Sequence, residues 1–328
     1  SWSPNVAVSA PFNPFLGYPH QNKIGDYISS VSDNTGADVA YAATFNGEED
    51  IYHVRVAPLQ SELANISTRA RVLLDDQVAI AGFVITGHAP KKLLIRGIGP
   101  SLVSAGLSDA LADPKLGVFQ GSVNLTSNDN WKVRPDGSSQ EAEVAATGKA
   151  PTDDLESALV VTLAPGTYTA ILSGNSSGVG VGLVEVYDLS PEADSQLTNI
   201  STRGFVDTGD NVMIGGIIIG GGNGAGARVI VRAVGPSLAD SGVQGSLSDP
   251  TLALFDANGL RIGSNDNWKT DDQTGQSQEA EIGAAGKALT DDREAAILTT
   301  LAPGAYTAIV RGKNDTTGVA LVEVFDLP

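Results

Sequence analysis

The chain has 328 residues, 38 of them acidic and 20 basic, for a net charge of −18, with 38 Gly, 16 Pro, three His, one Met and no Cys. Such a carboxylate excess repels phosphates, and the basic residues are scattered rather than gathered into a stripe, so nucleic acid is not an expected partner. Without cysteine there is no disulfide, thiolate zinc site or thiol nucleophile, and no apolar run approaches the roughly 18 to 20 residues that span a bilayer.

Residues 1–58 form a segment with its own pattern. They open Ser1-Trp2-Ser3-Pro4 with no initiator Met and no signal peptide, as a processed product or an excised fragment would. Strands are predicted over 2–9, 24–28, 39–44 and 51–56, where Val, Ile and Tyr recur. Trp2-Ser3 followed by Val6 and Val8 resembles the W-S-x-x-V-x-V strand that follows an Asp-box in sialidase-like β-propellers, and the later strands resemble such a propeller's last blade. The resemblance implies one blade and a piece. Catalytic residues of those propellers come from several blades, so it implies no activity here. A lone blade normally buries both faces against its neighbours, so this segment is expected to need a partner. Val6, Val8, Val39, Tyr41, Ile51 and Val54 are its candidate assembly residues.

Residues 59–190 read as a first β domain. Short runs rich in Val, Ile, Leu and Tyr at 78–86, 92–98, 116–120, 157–163, 167–173 and 180–188 are separated by Gly, Pro, Asn and Asp, the pattern of a sandwich. Pro165-Gly166 is expected to close a hairpin, and Ala, Leu and Glu at 101–111 and 140–147 suggest minor helical turns. Residues 191–328 repeat the scheme. Asn65-Ile66-Ser67-Thr68-Arg69 returns as Asn199-Ile200-Ser201-Thr202-Arg203, Gly99-Pro100-Ser101-Leu102 as Gly235-Pro236-Ser237-Leu238, and Ser127-Asn128-Asp129-Asn130-Trp131-Lys132 as Ser264-Asn265-Asp266-Asn267-Trp268-Lys269. The offset grows only from 134, Asn65 to Asn199, to 138, Pro165 to Pro303. The expectation is an all-β chain of two tandem jelly-roll-like β-sandwiches behind an N-terminal β-strand segment, with a linker at 190–196. The closing strands, Leu163-Ala164-Pro165-Gly166 through Leu183-Val184-Glu185-Val186, resemble pre-peptidase C-terminal-type modules of secreted and surface bacterial proteins, which implies an extracellular or cell-surface location.

Each candidate for chemistry has a structural counterpart reading. The glycine-rich run 220–227 contains a G-x-G-x-x-A string, but a strand rather than a helix follows, so a hairpin loop is expected instead of a dinucleotide site. Asp129 and Asp266, each between asparagines, could give oxygens to a structural Ca²⁺ or sit as solvated turn carboxylates. No other cofactor is indicated. Trp131 and Trp268 could stack on a sugar ring or cap a core. Arg69, Arg96, Arg203 and Arg232 are expected in ion pairs near a sheet edge. His20, His53 and His88 have no repeat partners, and no Ser-His-Asp set is recognisable.

Residues 212–219 are apolar on both faces, so Ile217 and Ile219 are expected to be covered twice, with a neighbouring subunit as one cover. These readings favour a non-enzymatic extracellular structural protein, a surface or fibre subunit that self-associates by β-strand pairing. The alternative is a glycan-binding accessory module of a secreted sialidase-like or peptidase-like protein.

Overall fold

A computed structural model describes residues 29–33, 36–43, 50–56, 61–221 and 226–327. The chain divides into two compact units, Ser1–Gln60 and Ser61–Pro328. Within the first, β1 (Ser29–Asp33), β2 (Gly36–Ala43) and β3 (Asp50–Val56) form an antiparallel meander. Strands β2 and β3 match the runs expected at 39–44 and 51–56. The strands expected at 2–9 and 24–28, with Val6 and Val8, lie outside the described residues.

The second unit is all-β and antiparallel, with only short helices. Repeat 1 supplies β4 (Ser61–Val72), β5 (Ala79–Gly87), β6 (Lys91–Ile98), β7 (Pro114–Gln120), β8 (Val123–Asn128), α1 (Glu141–Ala146), β9 (Ser157–Leu163), β10 (Gly166–Gly174) and β11 (Gly180–Asp188). Repeat 2 supplies their equivalents: β12 (Ser195–Val206), β13 (Met213–Gly221), β14 (Ala227–Val234), β15 (Pro250–Asp256), β16 (Arg261–Asn265), α2 (Glu279–Ala284), β17 (Ala295–Leu301), β18 (Gly304–Gly312) and β19 (Gly318–Leu327).

Strand pairing runs β9-β6-β11-β4-β13-β18-β15-β16 through one layer. It runs β8-β7-β10-β5-β12-β19-β14-β17 through the other. The layers stack face to face, with β4 against β5, β11 against β10 and β6 against β7, and β14 against β15 at the far end. Each repeat therefore gives four strands to each layer. The two repeats, expected as consecutive domains at 59–190 and 191–328, share one pair of sheets within a single unit.

Their junction has a local two-fold. Ser61 pairs with Gly221 and Arg69 with Ile214, as Ser195 pairs with Gly87 and Arg203 with Ile80. Ala64 and Thr198 are the extra residues at matching bulges. Thr68 and Thr202, equivalent residues, meet hydroxyl to hydroxyl at 2.8 Å, fully buried.

This arrangement corrects three expectations. Strand β13 is flanked by β18 and by repeat 1's β4, so Ile217 and Ile219, each 2% exposed, are covered within the chain and not by a neighbour. Pro165-Gly166 and Pro303-Gly304 close no hairpin, because β9 and β10 lie in opposite layers, as do β17 and β18. The glycine-rich run likewise joins β13 in one layer to β14 in the other. The only hairpins between consecutive described strands of this unit are β7–β8 and β15–β16.

One apolar core lies between the layers and crosses the repeat boundary, taking Phe83, Ile95 and Leu172 from repeat 1 and Met213, Leu252 and Val322 from repeat 2. Strands β6 and β14 are buried on both faces. Leu93 and Ile95 point into that core, whereas Leu94 points outward beneath Trp131, Val144 and Ala158; Ile230 does the same beneath Trp268 and Ile282. The segment carrying the tryptophan and the short helix is thus a third layer, and it explains the consecutive buried apolar runs Leu93-Leu94-Ile95 and Val229-Ile230-Val231 at the centre of these strands.

Candidate functional site

Glu156 and Glu294 are fully buried carboxylates at equivalent positions. Glu156 Oε1 accepts hydrogen bonds from the Gly99 N–H at 3.1 Å, the Ser101 N–H at 3.0 Å and the Ser101 hydroxyl at 2.5 Å. Glu294 binds Gly235 and Ser237 in the same way. Each carboxylate caps the 3-10 turn that begins at the Gly-Pro-Ser motif, where two backbone N–H groups and a serine hydroxyl would otherwise be orphaned. The motif's residues follow from that geometry. A Cβ on Gly99 would lie 2.0 Å from the Leu111 carbonyl oxygen, Pro100 opens the turn, and Ser101 supplies the donor.

Trp131 and Trp268 are 6% and 3% exposed, so neither offers a face to a sugar; both cap the outer cores. This corrects their assignment as ligand-binding residues. An indole ring over an apolar strand hides more surface than it would by standing in water. Beside them, side chains seal the sheet margins. Asn128 Oδ1 accepts from the Ala158 N–H of β9 at 3.0 Å, and Gln140 Nε2 donates to the Ala158 carbonyl at 2.9 Å. Asn265 and Gln278 bind Ala296 of β17 identically. These asparagines and glutamines lie in the repeated strings, yet nothing in residue type marks them as strand plugs.

The acidic residues singled out for calcium differ between repeats. In repeat 2 the Lys313 ammonium lies 2.6 Å from Asp266 and 3.7 Å from Asp249. In repeat 1 the equivalent residue is Asn175, whose Nδ2 donates to Asp113 at 3.0 Å and Asp129 at 3.3 Å. Burial, and next the charge of Asp113, raise the Asp129 carboxyl above its ordinary value. Two carboxylates sharing an amide nitrogen fall short of the six to eight oxygens that Ca²⁺ takes, and at Asp266 a built-in ammonium holds the cation's place. Among the described residues no three of His, Cys, Asp and Glu are grouped to hold a metal. A cleft of about 280 Å³ borders Asp129, lined by Lys115, Ser127 and Arg134 among others.

Asn175→Lys should raise the thermal midpoint at neutral pH by giving Asp113 and Asp129 the ammonium that Asp249 and Asp266 already have. Because the folded-state Asp129 carboxyl is raised, its penalty is present at neutral pH and vanishes below the unfolded carboxylate range. The gain should therefore fade as pH falls through that range, and should shrink in high salt. A thermal melt series in pH and salt checks both; an unchanged or lower midpoint at neutral pH contradicts the reading.

The arginines divide into two groups. Arg96 pairs with Glu185 and Arg232 with Glu323, ion pairs as expected, formed across neighbouring interior strands. Arg96 and Lys149 also lie over the Tyr187 ring, as Arg232 and Lys287 lie over Phe325. Burial, with the hydrogen bond to Glu185, pushes the Tyr187 phenol up to about 12. Arg69 and Arg203 instead cross the repeat junction to the backbone carbonyls of Asp210, at 2.8 Å, and Asp76, at 3.3 Å. His88 is exposed and lies 3.1 Å from Asp194.

No family model matches the chain, and no curated protein matches it. Among solved structures, a DUF4785-family protein from Legionella pneumophila is similar at 8% identity, with 90% of this chain and 85% of that one covered and a TM-score of 0.23. Tripeptidyl peptidase 2 is similar at 10% identity over 89% of this chain and 26% of that one, with a TM-score of 0.16. Likenesses at these scores are too slight to bear on fold or function.

Proposed function

We propose that this chain is a non-enzymatic structural protein, an extracellular surface or fibre subunit that self-associates through its N-terminal sheet. The observation that carries this reading is the duplicated use of the polar side chains. Glu156, Asn128 and Gln140 in one repeat, and Glu294, Asn265 and Gln278 in the other, bind the chain's own backbone in matching geometry. Groups committed twice to the same internal bonds serve the scaffold rather than a substrate. The resemblance to secreted bacterial modules supports the extracellular placement, and the buried tryptophans argue against the glycan-binding alternative.

The route of assembly follows from the edges. In the second unit, β9 and β17 are plugged at Ala158 and Ala296, and β8 and β16 each carry a bulge, with Leu125 and Ile262 as the extra residues. Both devices discourage strand addition. In the first unit Val31 of the terminal strand β1 is 71% exposed and Ile51 of β3 is 75% exposed. Val39, Tyr41 and Val54 are half-buried, and the Tyr41 and Tyr52 rings lie 6.3 Å apart. The first unit is therefore where strand pairing with a neighbour is expected.

Full-length Val31→Lys/Ile51→Lys should stay folded but fail to polymerise, because charges on an edge oppose pairing. Light scattering and negative-stain microscopy compare it with the unmodified chain and with residues 61–328 alone. A wild-type chain that stays monomeric at high concentration, or variants that form the same polymers, would overturn the reading.

A further inference from the structure

The junction between the repeats is symmetric in its backbone but not in its side chains. Two glycine–serine contacts are shared by both halves: a Cβ on Gly82 would lie 2.7 Å from Ser201 Oγ, and one on Gly216 would lie 2.2 Å from Ser67 Oγ. These make the seam fit any two copies of the repeat. Further positions break the symmetry. Ala70 faces its equivalent, Gly204, where a Cβ would fall 2.7 Å from the Ala70 Cβ. Arg71 pairs across the two-fold with its equivalent, Phe205. The Arg71 guanidinium is bound by Asp109 of repeat 1 at 2.6 Å and lies 3.7 Å from Asp207 of repeat 2, while Asn211 of repeat 2 donates to the same Asp109 carboxylate at 2.9 Å.

We infer that the seam is a partner-selective docking surface: repeat 1 accepts a repeat 2, from its own chain or from a second copy, and refuses another repeat 1. Two copies of repeat 1 would press Ala70 against Ala70 at a separation that Cβ atoms do not adopt. They would also set Arg71 opposite Arg71, and would put Leu73 where Asp207 belongs. Two copies of repeat 2 escape the clash but have Gly245 in place of Asp109 and Phe205 opposite Phe205, so the ionic lock is missing. The pairing surface is thus specific for the unlike repeat, and the partner it fits outside its own chain is the second repeat of another copy, reached by reciprocal exchange. The inference is independent of any role for the N-terminal sheet.

The linker offers the test. Glu192 is exposed, and a protease site placed after it allows the folded full chain to be cut into halves of distinguishable mass. Native mass spectrometry should show the halves still bound one to one. After unfolding and joint refolding, the unlike pair should exceed either like pair by at least about tenfold. Separation of the halves on cutting, or a statistical mixture of like and unlike pairs, would overturn the inference. Should the cut chain not refold, the intact chain decides. Gly204→Ala should lower the denaturation midpoint, and adding Ala70→Gly in the same chain should recover at least half of that loss; additive losses would reject the proposed complementarity.

Discussion

Glu156→Ala should destabilise the chain by on the order of 3 kcal/mol, because it leaves the Gly99 and Ser101 N–H groups and the Ser101 hydroxyl without their shared acceptor. The residue is fully buried, so water does not readily replace the lost oxygen. Glu294→Ala should behave alike, since Gly235 and Ser237 repeat the arrangement. Glu156→Gln keeps an acceptor oxygen but gives up the charge at the turn's N-terminus, and should cost less. Urea unfolding measures all three. An alanine variant within about 0.5 kcal/mol of wild type would show that the carboxylate does not hold the turn. The same substitution separates scaffold from catalyst: if a hydrolase screen finds turnover that Glu156→Gln abolishes with stability intact, the non-enzymatic reading falls.

Trp268→Ala should cost about 3 to 5 kcal/mol, the range for emptying a buried aromatic site, since the ring closes the outer core over Ile230, Ile282 and Ala296. Trp131→Ala should cost a similar amount above Leu94 and Val144. Phenylalanine distinguishes the two positions. Trp131 Nε1 donates to the Asp153 carbonyl at 3.1 Å, whereas the buried Trp268 Nε1 has no partner. Trp131→Phe loses a hydrogen bond and leaves an acceptor unmet; Trp268→Phe removes a donor that was already unsatisfied. The variant at 131 should therefore be the less stable of the two. Calorimetry of the four variants checks the order. Full stability of the alanine variants with loss of binding on a glycan array would return the tryptophans to the surface and revive the glycan-binding alternative.

The all-β class, the duplication and most strands of the second unit were legible in the sequence, because each rests on local signals: β-branched runs, turn residues and strings that recur at an offset of 134 to 138. The strand expected at 78–86 is β5, and that at 180–188 is β11. That Arg96 and Arg232 would sit in ion pairs was anticipated from a charge flanked by apolar strand residues, but their partners, Glu185 and Glu323, were not. What the sequence left open was which strand lies beside which. Backbone hydrogen bonds accept nearly any side chain, so the pairing of β4 with β13 and β5 with β12 carries no local mark. For the same reason Ile217 and Ile219 read as surface awaiting a neighbour when repeat 1 already covers them. Pro165-Gly166 looked like a hairpin because a turn dipeptide shows where the chain bends and not whether it returns to the same sheet. Trp131 and Asp129 kept two readings each because their fate rests on residues far along the chain, the Asp153 carbonyl for one and Asn175 for the other. Tertiary structure decided these points, since the free energy of burying an indole or pairing a carboxylate belongs to the groups brought together and not to the residue alone.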